Sequence, residues 1–231
     1  MPGSIRALIF DFDGLIFDTE TSEMIVWKRI YGEHRCEFPE DVWAQNAGLW
    51  GSHHRFDPAA HLQDLLGRPL DLQALRQRYR DEEDAMFETQ PAEAGVTDYL
   101  EAGRRLGLQL AVASSSPLDW VEGHLARLGL VSRFDRIISG DDVAPGRVKP
   151  HPDIYLKALE ALDVTAGQAI ALEDSPHGLR AARAAGIFAV AVPNPTTVRL
   201  SLEAADLVID SMAAVPLEQL LQRVTQAARR S

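Results

Sequence analysis

Two aspartates directly follow a short apolar run near the start of the chain, in the stretch RALIFDFDGLIFDTE. Asp11 and Asp13 are two residues apart, so on extended backbone their side chains point to the same side. Two carboxylates held close together repel one another. A metal ion, a shared proton or a covalent role in a reaction would each offset that cost. This stretch therefore indicates a chemical site, and the rest of the chain decides its kind.

Three further polar clusters follow apolar runs or lie in the loops that leave them. They are Ser114–Ser116 in VASSSP, Lys149 in RVKPHPD, and the acidic pair Glu173 and Asp174 in ALEDSP. Because the carboxyl ends of parallel strands lie at one edge of a sheet, these clusters can share one crevice. The carboxylates favour Mg²⁺, and the lysine with the amides and hydroxyls of a helix N-terminus favours an anion. Together they indicate a site that handles phosphate.

The elements that must position these clusters alternate strand and helix from about residue 92 onward. A helix after VASSSP is predicted because apolar residues recur at three- and four-residue spacing, with Ser116 as its cap and Gly129 as its stop. The predicted strands are Ala7–Phe10, Leu108–Ala113, Phe134–Ser139, Ala169–Leu172, Ile187–Val192 and Asp206–Ile209. The chain is therefore expected to form an α/β fold, a Rossmann-like doubly wound parallel sheet.

The segment from about residue 20 to residue 90 is predicted to contain helices only. The predicted helices are Glu20–Tyr31, Pro39–Ala47, one that Asp57-Pro58 opens and that stops at Gly67, and one from a cap at Asp71 to Glu88. A helical block inserted after the first strand would lie over the carboxyl end of that strand, where ligands bind in open parallel sheets. We therefore divide the chain into a core of residues 1–18 and 91–231 and a helical cap of residues 19–90.

Composition limits the classes of partner. The chain has 231 residues, 46% of them hydrophobic, and a net charge of −11, which argues against nucleic acid and against an anionic membrane. Cys36 is the single cysteine, so no intrachain disulfide forms and a reducing compartment is expected. With neither a signal-peptide pattern nor a membrane span in the sequence, we expect a cytoplasmic protein, a monomer or a weak dimer.

The four motifs together resemble those of a known family. FDFDGLIFDTE, VASSS, VKPHPDIY and LEDSPHG resemble, in order and approximate spacing, the motifs of the haloacid dehalogenase superfamily. The helical block resembles the α-helical cap of its β-phosphoglucomutase-like and phosphatase branch, and the match spans nearly the whole chain. The resemblance implies a hydrolase that uses Mg²⁺ to remove phosphate from a small phosphorylated metabolite, such as a sugar phosphate.

The resemblance also assigns roles to residues. It implies that Asp11 attacks phosphorus to form an aspartyl-phosphate, and that Asp13 protonates the leaving alcohol and then deprotonates the hydrolytic water. The implied metal ligands are Asp11, the main-chain carbonyl of Asp13, and Asp174, with Glu173 assisting. The phosphate-binding candidates are Ser114, Ser115 and Lys149, although Ser115 and Ser116 also suit structural roles in the loop.

Other activities on the same fold remain as alternatives. A halide-releasing enzyme typically lacks the second aspartate, so Asp13 favours phosphate chemistry. In the β-phosphoglucomutase pattern a histidine stands at the place of Glu23, and the cap loop carries a Ser-Arg pair that the loop GLWGSHHRFDP lacks. These departures count against a phosphosugar mutase, which stays the main alternative. An inactive binding protein usually loses the nucleophile or the metal acid, and neither is missing.

Substrate selection is expected to lie in the cap. The candidate specificity residues are Glu23, Trp50, His54 and Arg55. We expect replacement of His54 or Arg55 to change substrate preference more than turnover of a small aryl phosphate.

Overall fold

A computed structural model describes residues 4–44 and 56–227 of the chain. Its sheet contains the strands β1 (Ala7–Phe10), β2 (Gln109–Ala113), β3 (Arg136–Ile138), β4 (Ala169–Glu173), β5 (Phe188–Ala191) and β6 (Leu207–Val208). The strands pair in parallel in the order β3-β2-β1-β4-β5-β6. Each lies within a strand predicted from the sequence or extends it by one residue, and the predicted α/β doubly wound fold is confirmed.

Helices cover both faces of this sheet. The helices of the core are α5 (Val96–Arg105), α6 (Leu118–Arg127), α7 (Asp153–Leu162), α8 (Pro176–Ala184) and α9 (Leu217–Ala227). Apolar residues of α5, α6 and α9 pack with Leu8 and Phe10 on one face of β1, and those of α7 and α8 pack with Ala7 and Ile9 on the other. All four residues of β1 are buried, as expected for a strand covered on both sides.

The order in which successive strands are added to the sheet reverses between β1 and β4. These two strands are neighbours in the sheet, with Ile9 opposite Ala171 and Phe10 opposite Leu172, although most of the chain separates them in sequence. Strands β2 and β3 lie to one side of this pair, and β5 and β6 lie to the other. A crevice at the carboxyl ends of β1 and β4 is where open α/β sheets bind ligands. Both acidic motifs end at this crevice.

In the described parts of the segment between β1 and α5 the regular elements are helices, as predicted, and residues 45–47 of the predicted helix Pro39–Ala47 lie outside the described residues. It contains α1 (Thr19–Glu33), α2 (Glu40–Ala44), α3 (Pro58–Leu66) and α4 (Leu72–Phe87). These helices share a hydrophobic cluster of their own, which we call the insert core. Its buried members are Val26, Trp27, Ile30, Tyr31, Phe38, Trp43, Ala59 and Leu62. The cap boundaries at 18/19 and 90/91 stay predictions.

The two connections between insert and sheet lie side by side. The Nε2 of Gln90, after α4, donates to the carbonyl of Asp18 at 2.7 Å, and Ser22 Oγ donates to Gln90 Oε1 at 2.8 Å. Asp18 also accepts from the backbone N–H of Thr21 and so caps α1. Across residues 4–44 and 56–227, no helix is both long and apolar enough to cross a membrane.

Candidate active site

The predicted site residues meet at the carboxyl edge of the sheet. Asp11 follows β1, Ser114 follows β2, Glu173 ends β4 with Asp174 next to it, and Lys149 lies on the loop before α7. Carboxylate oxygens of Asp11, Glu173 and Asp174 all lie within 4.8 Å of one another, and the three residues are buried. The topology therefore brings together residues that are more than 160 positions apart in the sequence.

Lys149 supplies positive charge at the centre of this cluster. Its Nζ lies 2.6 Å from Asp11 Oδ1 and 2.6 Å from Glu173 Oε1. Burial alone would lower the pKa of Lys149, but the charges of Asp11 and Glu173 outweigh burial, and the pKa is raised above its usual range. The Tyr155 hydroxyl also donates to Glu173 Oε1, at 2.5 Å. The ammonium is therefore charged and fixed between two carboxylates.

The acidic pair of β4 carries more negative charge than the lysine balances. Burial, followed by the charge of Asp11, raises the pKa of Glu173 to about 7. Burial, followed by the charge of Glu20, raises the pKa of Asp174 well above its usual range. Asp174 Oδ1 is buried and has no hydrogen-bond partner among the described residues. A buried, unpartnered carboxylate oxygen beside two further carboxylates fits a divalent cation that prefers oxygen ligands.

Asp13 is held by donors from a different part of the core. Its Oδ2 accepts from Ser116 Oγ at 2.6 Å and from Ser114 Oγ at 3.2 Å. Its Oδ1 accepts from the indole N–H of Trp120, on α6, at 2.9 Å. Burial raises the pKa of Asp13, and the hydrogen bond from Ser116 opposes that shift. The carboxyl group of Asp13 is thus oriented toward the loop after β2 and the first turn of α6.

The serine run differs in one respect from its prediction. The predicted cap of α6, Ser116, is wrong: the residue that precedes the helix is Pro117, and the backbone N–H of Leu118 at the start of the helix donates to Asp141 Oδ2 at 2.8 Å. The Ser116 hydroxyl lies against the Asp13 carboxyl group and donates to its Oδ2. Ser115 Oγ is buried without a hydrogen-bond partner in the described parts of the chain, which leaves a donor available for a ligand.

Two glycines let the backbone lie directly against the acidic pair. Gly14 has a φ of +83°, and a Cβ added to it would lie 2.3 Å from Asp174 Oδ2. A Cβ added to Gly178, in the first turn of α8, would lie 1.8 Å from Glu173 Oε2. Any side chain at either position would displace a carboxylate of the site.

Three residues of this site were not identified from the sequence: Glu20, Trp120 and Asn194. The Nδ2 of Asn194 donates to Asp174 Oδ2 at 2.8 Å, to the carbonyl of Gly14 at 3.1 Å and to Glu20 Oε2 at 3.3 Å. Burial raises the pKa of Glu20 to about 8. The sequence contained one indication that Asn194 belongs to the site: it lies shortly after β5, another strand that ends at the same edge.

The predicted specificity residues are only partly described. Glu23 is half-buried on α1, whereas Trp50, His54 and Arg55 lie outside the described residues. Their role in substrate selection stays a prediction.

The chain was compared with known protein families and with individual relatives. Residues 8–192 match the family described as haloacid dehalogenase-like hydrolase. The chain belongs to that family. It is 41% identical over 220 residues to a Bacillus subtilis protein named "Putative phosphatase YhcW". This match covers 95% of this chain and 98% of the relative. The family predicted from the four motifs is therefore confirmed.

Two further relatives come from Thermotoga maritima. One, named "Phosphorylated carbohydrates phosphatase", is 32% identical over 184 residues, which is 79% of this chain and 82% of the relative. The other is a crystal structure titled a "putative beta-phosphoglucomutase", with a TM-score of 0.72, 28% identity, and coverage of 96% of this chain and 99% of that chain. The chain is thus similar over most of its length to proteins of the phosphatase and mutase branch.

Proposed function

We propose that this hydrolase is a Mg²⁺-dependent phosphatase that removes phosphate from a small phosphorylated metabolite, a sugar phosphate or related phosphomonoester. The observation that carries the proposal is the buried cluster of Asp11, Glu173 and Asp174 around Lys149 at the ends of β1 and β4. A phosphoric monoester hydrolase is the enzyme class that its family and the names of its relatives support. Beyond this enzyme class, we propose Mg²⁺ as the metal, an aspartyl-phosphate as the intermediate and a small phosphorylated metabolite as the substrate.

The first chemical step forms a bond between Asp11 and phosphorus. A carboxylate oxygen of Asp11 attacks the phosphoryl group, and the bond from phosphorus to the alcohol oxygen breaks. Asp13 donates a proton to that oxygen, so the alcohol leaves neutral. The raised pKa of Asp13 keeps a larger fraction of its carboxyl group protonated for this purpose.

The second step releases phosphate. Water attacks the phosphorus of the aspartyl-phosphate, Asp13 accepts its proton, and the bond between Asp11 and phosphorus breaks. Lys149 and the hydroxyls of Ser114 and Ser115 are proposed to bind the phosphate oxygens, since the ammonium is already fixed beside Asp11.

A magnesium ion suits the carboxylates of this site. Asp11 and Asp174 would hold it, with Glu173 assisting and the main-chain carbonyl of Asp13 as a further expected ligand. When bound, the ion would neutralise charge on the phosphoryl oxygens and on the crowded carboxylates. The unpartnered Asp174 Oδ1 supports this assignment within the described structure.

The test is phosphate release from a panel of phosphorylated sugars and related metabolites, with Mg²⁺ or with EDTA. We expect Mg²⁺-dependent release that is lost in Asp11→Asn and retained in the matched control Asp98→Asn, on the exposed surface of α5. Isomerisation of a sugar phosphate without phosphate release would replace the proposal with the mutase alternative. Binding of a panel member without any reaction would indicate an inactive protein.

A further inference from the structure

Trp120 contacts both Asp13 and a group of aromatic residues that includes Phe87 and His124. Its indole N–H donates to Asp13 Oδ1 at 2.9 Å, from a position 107 residues away in sequence. Ser114 and Ser116 bind the other carboxylate oxygen, Oδ2. Oδ1 of Asp13 thus accepts from Trp120. Together, the indole N–H and the two serine hydroxyls hold both oxygens of the carboxyl group.

The indole ring is fixed by edge-to-face contacts. Its centroid lies 4.3 Å from that of His124 at an interplanar angle of 71°, and 5.8 Å from that of Phe87 at 76°. Aromatic pairs in this arrangement are stabilised beyond the area that they bury. A hydroxyl hydrogen rotates to suit its acceptor, whereas the N–H of a packed ring has one direction. Trp120 is therefore the more rigid of the donors to Asp13.

Phe87 and His124 also contact Phe17, which lies where the chain enters the insert. Phe87 is the last residue of α4 and lies 5.1 Å, centroid to centroid, from Phe17, which immediately precedes the cap residue of α1. His124 stacks on Phe17 at 4.7 Å. The ring that binds Asp13 thus packs directly on Phe87 and is linked to Phe17 through Phe87 and His124.

We propose that Trp120 is a positioning residue for Asp13 and that its indole N–H orients the carboxyl group for proton transfer to the leaving oxygen. This inference rests on the proposed phosphatase function. Proton transfer requires a carboxyl group in a defined place, and a small displacement reduces its contribution steeply. The hydrogen bond from Trp120 acts through Asp13 and needs no contact with the substrate.

The test compares three phosphomonoesters of similar size whose leaving groups differ. 4-Nitrophenyl phosphate has a leaving group that departs without protonation, phenyl phosphate is intermediate, and benzyl phosphate releases an alkoxide that needs a proton. The kcat/KM reports the steps up to departure of the leaving group. Loss of proton donation therefore lowers kcat/KM for benzyl phosphate most and for 4-nitrophenyl phosphate least.

In Trp120→Phe, which keeps an aromatic ring and removes the donor, we expect kcat/KM for benzyl phosphate to fall about tenfold, part of the hundredfold or more that general acid catalysis contributes. The fall for 4-nitrophenyl phosphate should be severalfold smaller. Trp27→Phe is the matched control: the same change in the insert core, where Trp27 stacks on Tyr79. It should show no dependence on the leaving group.

A second variant keeps the test valid if Trp120→Phe disturbs the fold. Incorporation of 3-benzothienylalanine at position 120 replaces the N–H by sulfur and retains the size of the ring. The same leaving-group dependence in this variant supports the proposal. An equal loss on all three esters, or no loss, overturns it while leaving the phosphatase intact. If the wild-type protein with Mg²⁺ hydrolyses neither these esters nor any member of the metabolite panel, both proposals fall.

Discussion

The carboxyl edge of the sheet and the helical insert use charge in opposite ways. At the sheet edge, Lys149 is buried and lies 2.6 Å from each of two buried carboxylates. In the insert, ion pairs such as Arg76 with Asp57 and Arg78 with Glu33 lie on the surface, with every side chain at least 40% exposed. Exposed pairs contribute little because water screens them, whereas a buried charge must be balanced by its neighbours.

Because of this difference, we expect the sheet edge and the insert to respond differently to substitution. At the sheet edge, removal of the Lys149 charge leaves the buried carboxylates of Asp11 and Glu173 without their partner. The insert is held by its own hydrophobic cluster and tolerates changes on its surface. We therefore expect substitutions at the sheet edge to affect every substrate, and those in the insert to affect either particular substrates or nothing.

The largest effect is expected for Lys149→Met, which keeps the aliphatic stem and removes the charge. Two buried carboxylates then face one another, so the free energy of unfolding should fall by about 3–5 kcal/mol, and phosphatase activity should be lost on all substrates. Urea unfolding and phosphate release measure the two effects. Lys157→Met, on the exposed surface of α7, is the control, and equal behaviour of the two variants would contradict the contrast.

The second prediction concerns a close contact of the backbone with the site. Gly178→Ala should destabilise the protein by about 1–3 kcal/mol and reduce activity, because its Cβ would displace the Glu173 carboxylate. Gly32→Ala is the matched change in the insert, on α1, where nothing lies within 4 Å of the added Cβ. It should stabilise α1 by up to about 1 kcal/mol. Thermal unfolding distinguishes them, and loss of stability in both would contradict the account.

The third prediction addresses specificity in the insert. Arg55→Ala should lower kcat/KM for the preferred phosphorylated metabolite by about tenfold, the value of one or two lost polar contacts. Turnover of 4-nitrophenyl phosphate should change little, because that ester offers few groups for the insert to bind. Steady-state kinetics on both substrates provides the measurement. Equal losses on every substrate would remove Arg55 from the specificity residues.

The smallest effect is expected for Arg76→Ala, which breaks the exposed ion pair with Asp57 between α4 and the start of α3. The free energy of unfolding should change by at most about 1 kcal/mol, with no change in activity. Urea unfolding at low and high salt measures it. A loss as large as that of Lys149→Met would show that the two regions do not differ as described.

The sequence predicted the sheet well because the strands of a doubly wound core are continuous apolar runs. The clusters at Asp11, Lys149 and Glu173 could be brought together from the sequence alone, since parallel strands end at one edge. This holds however far apart the clusters lie along the chain. The helices of the insert were likewise predicted from capping residues such as Asp57 and Asp71, which cap α3 and α4.

The partners of individual side chains could not be predicted in the same way. Ser116 was expected to cap α6, but its hydroxyl donates to Asp13, which the fold brings within reach from the loop after β1. Trp120 and Asn194 bind Asp13 and Asp174 across 107 and 20 residues. Such contacts depend on side-chain direction in the packed structure, about which local patterns give no information.

The phosphatase proposal depends most directly on Asp11, which we expect to carry the phosphoryl group during the reaction. The direct measurement is rapid acid quenching of the protein during turnover of a phosphomonoester, followed by peptide mass spectrometry. We predict a phosphoryl group on Asp11 that appears with Mg²⁺, disappears with EDTA and is absent from Asp11→Asn. Steady release of phosphate by an enzyme whose Asp11 is never modified, together with retained activity in Asp11→Asn, would contradict the account.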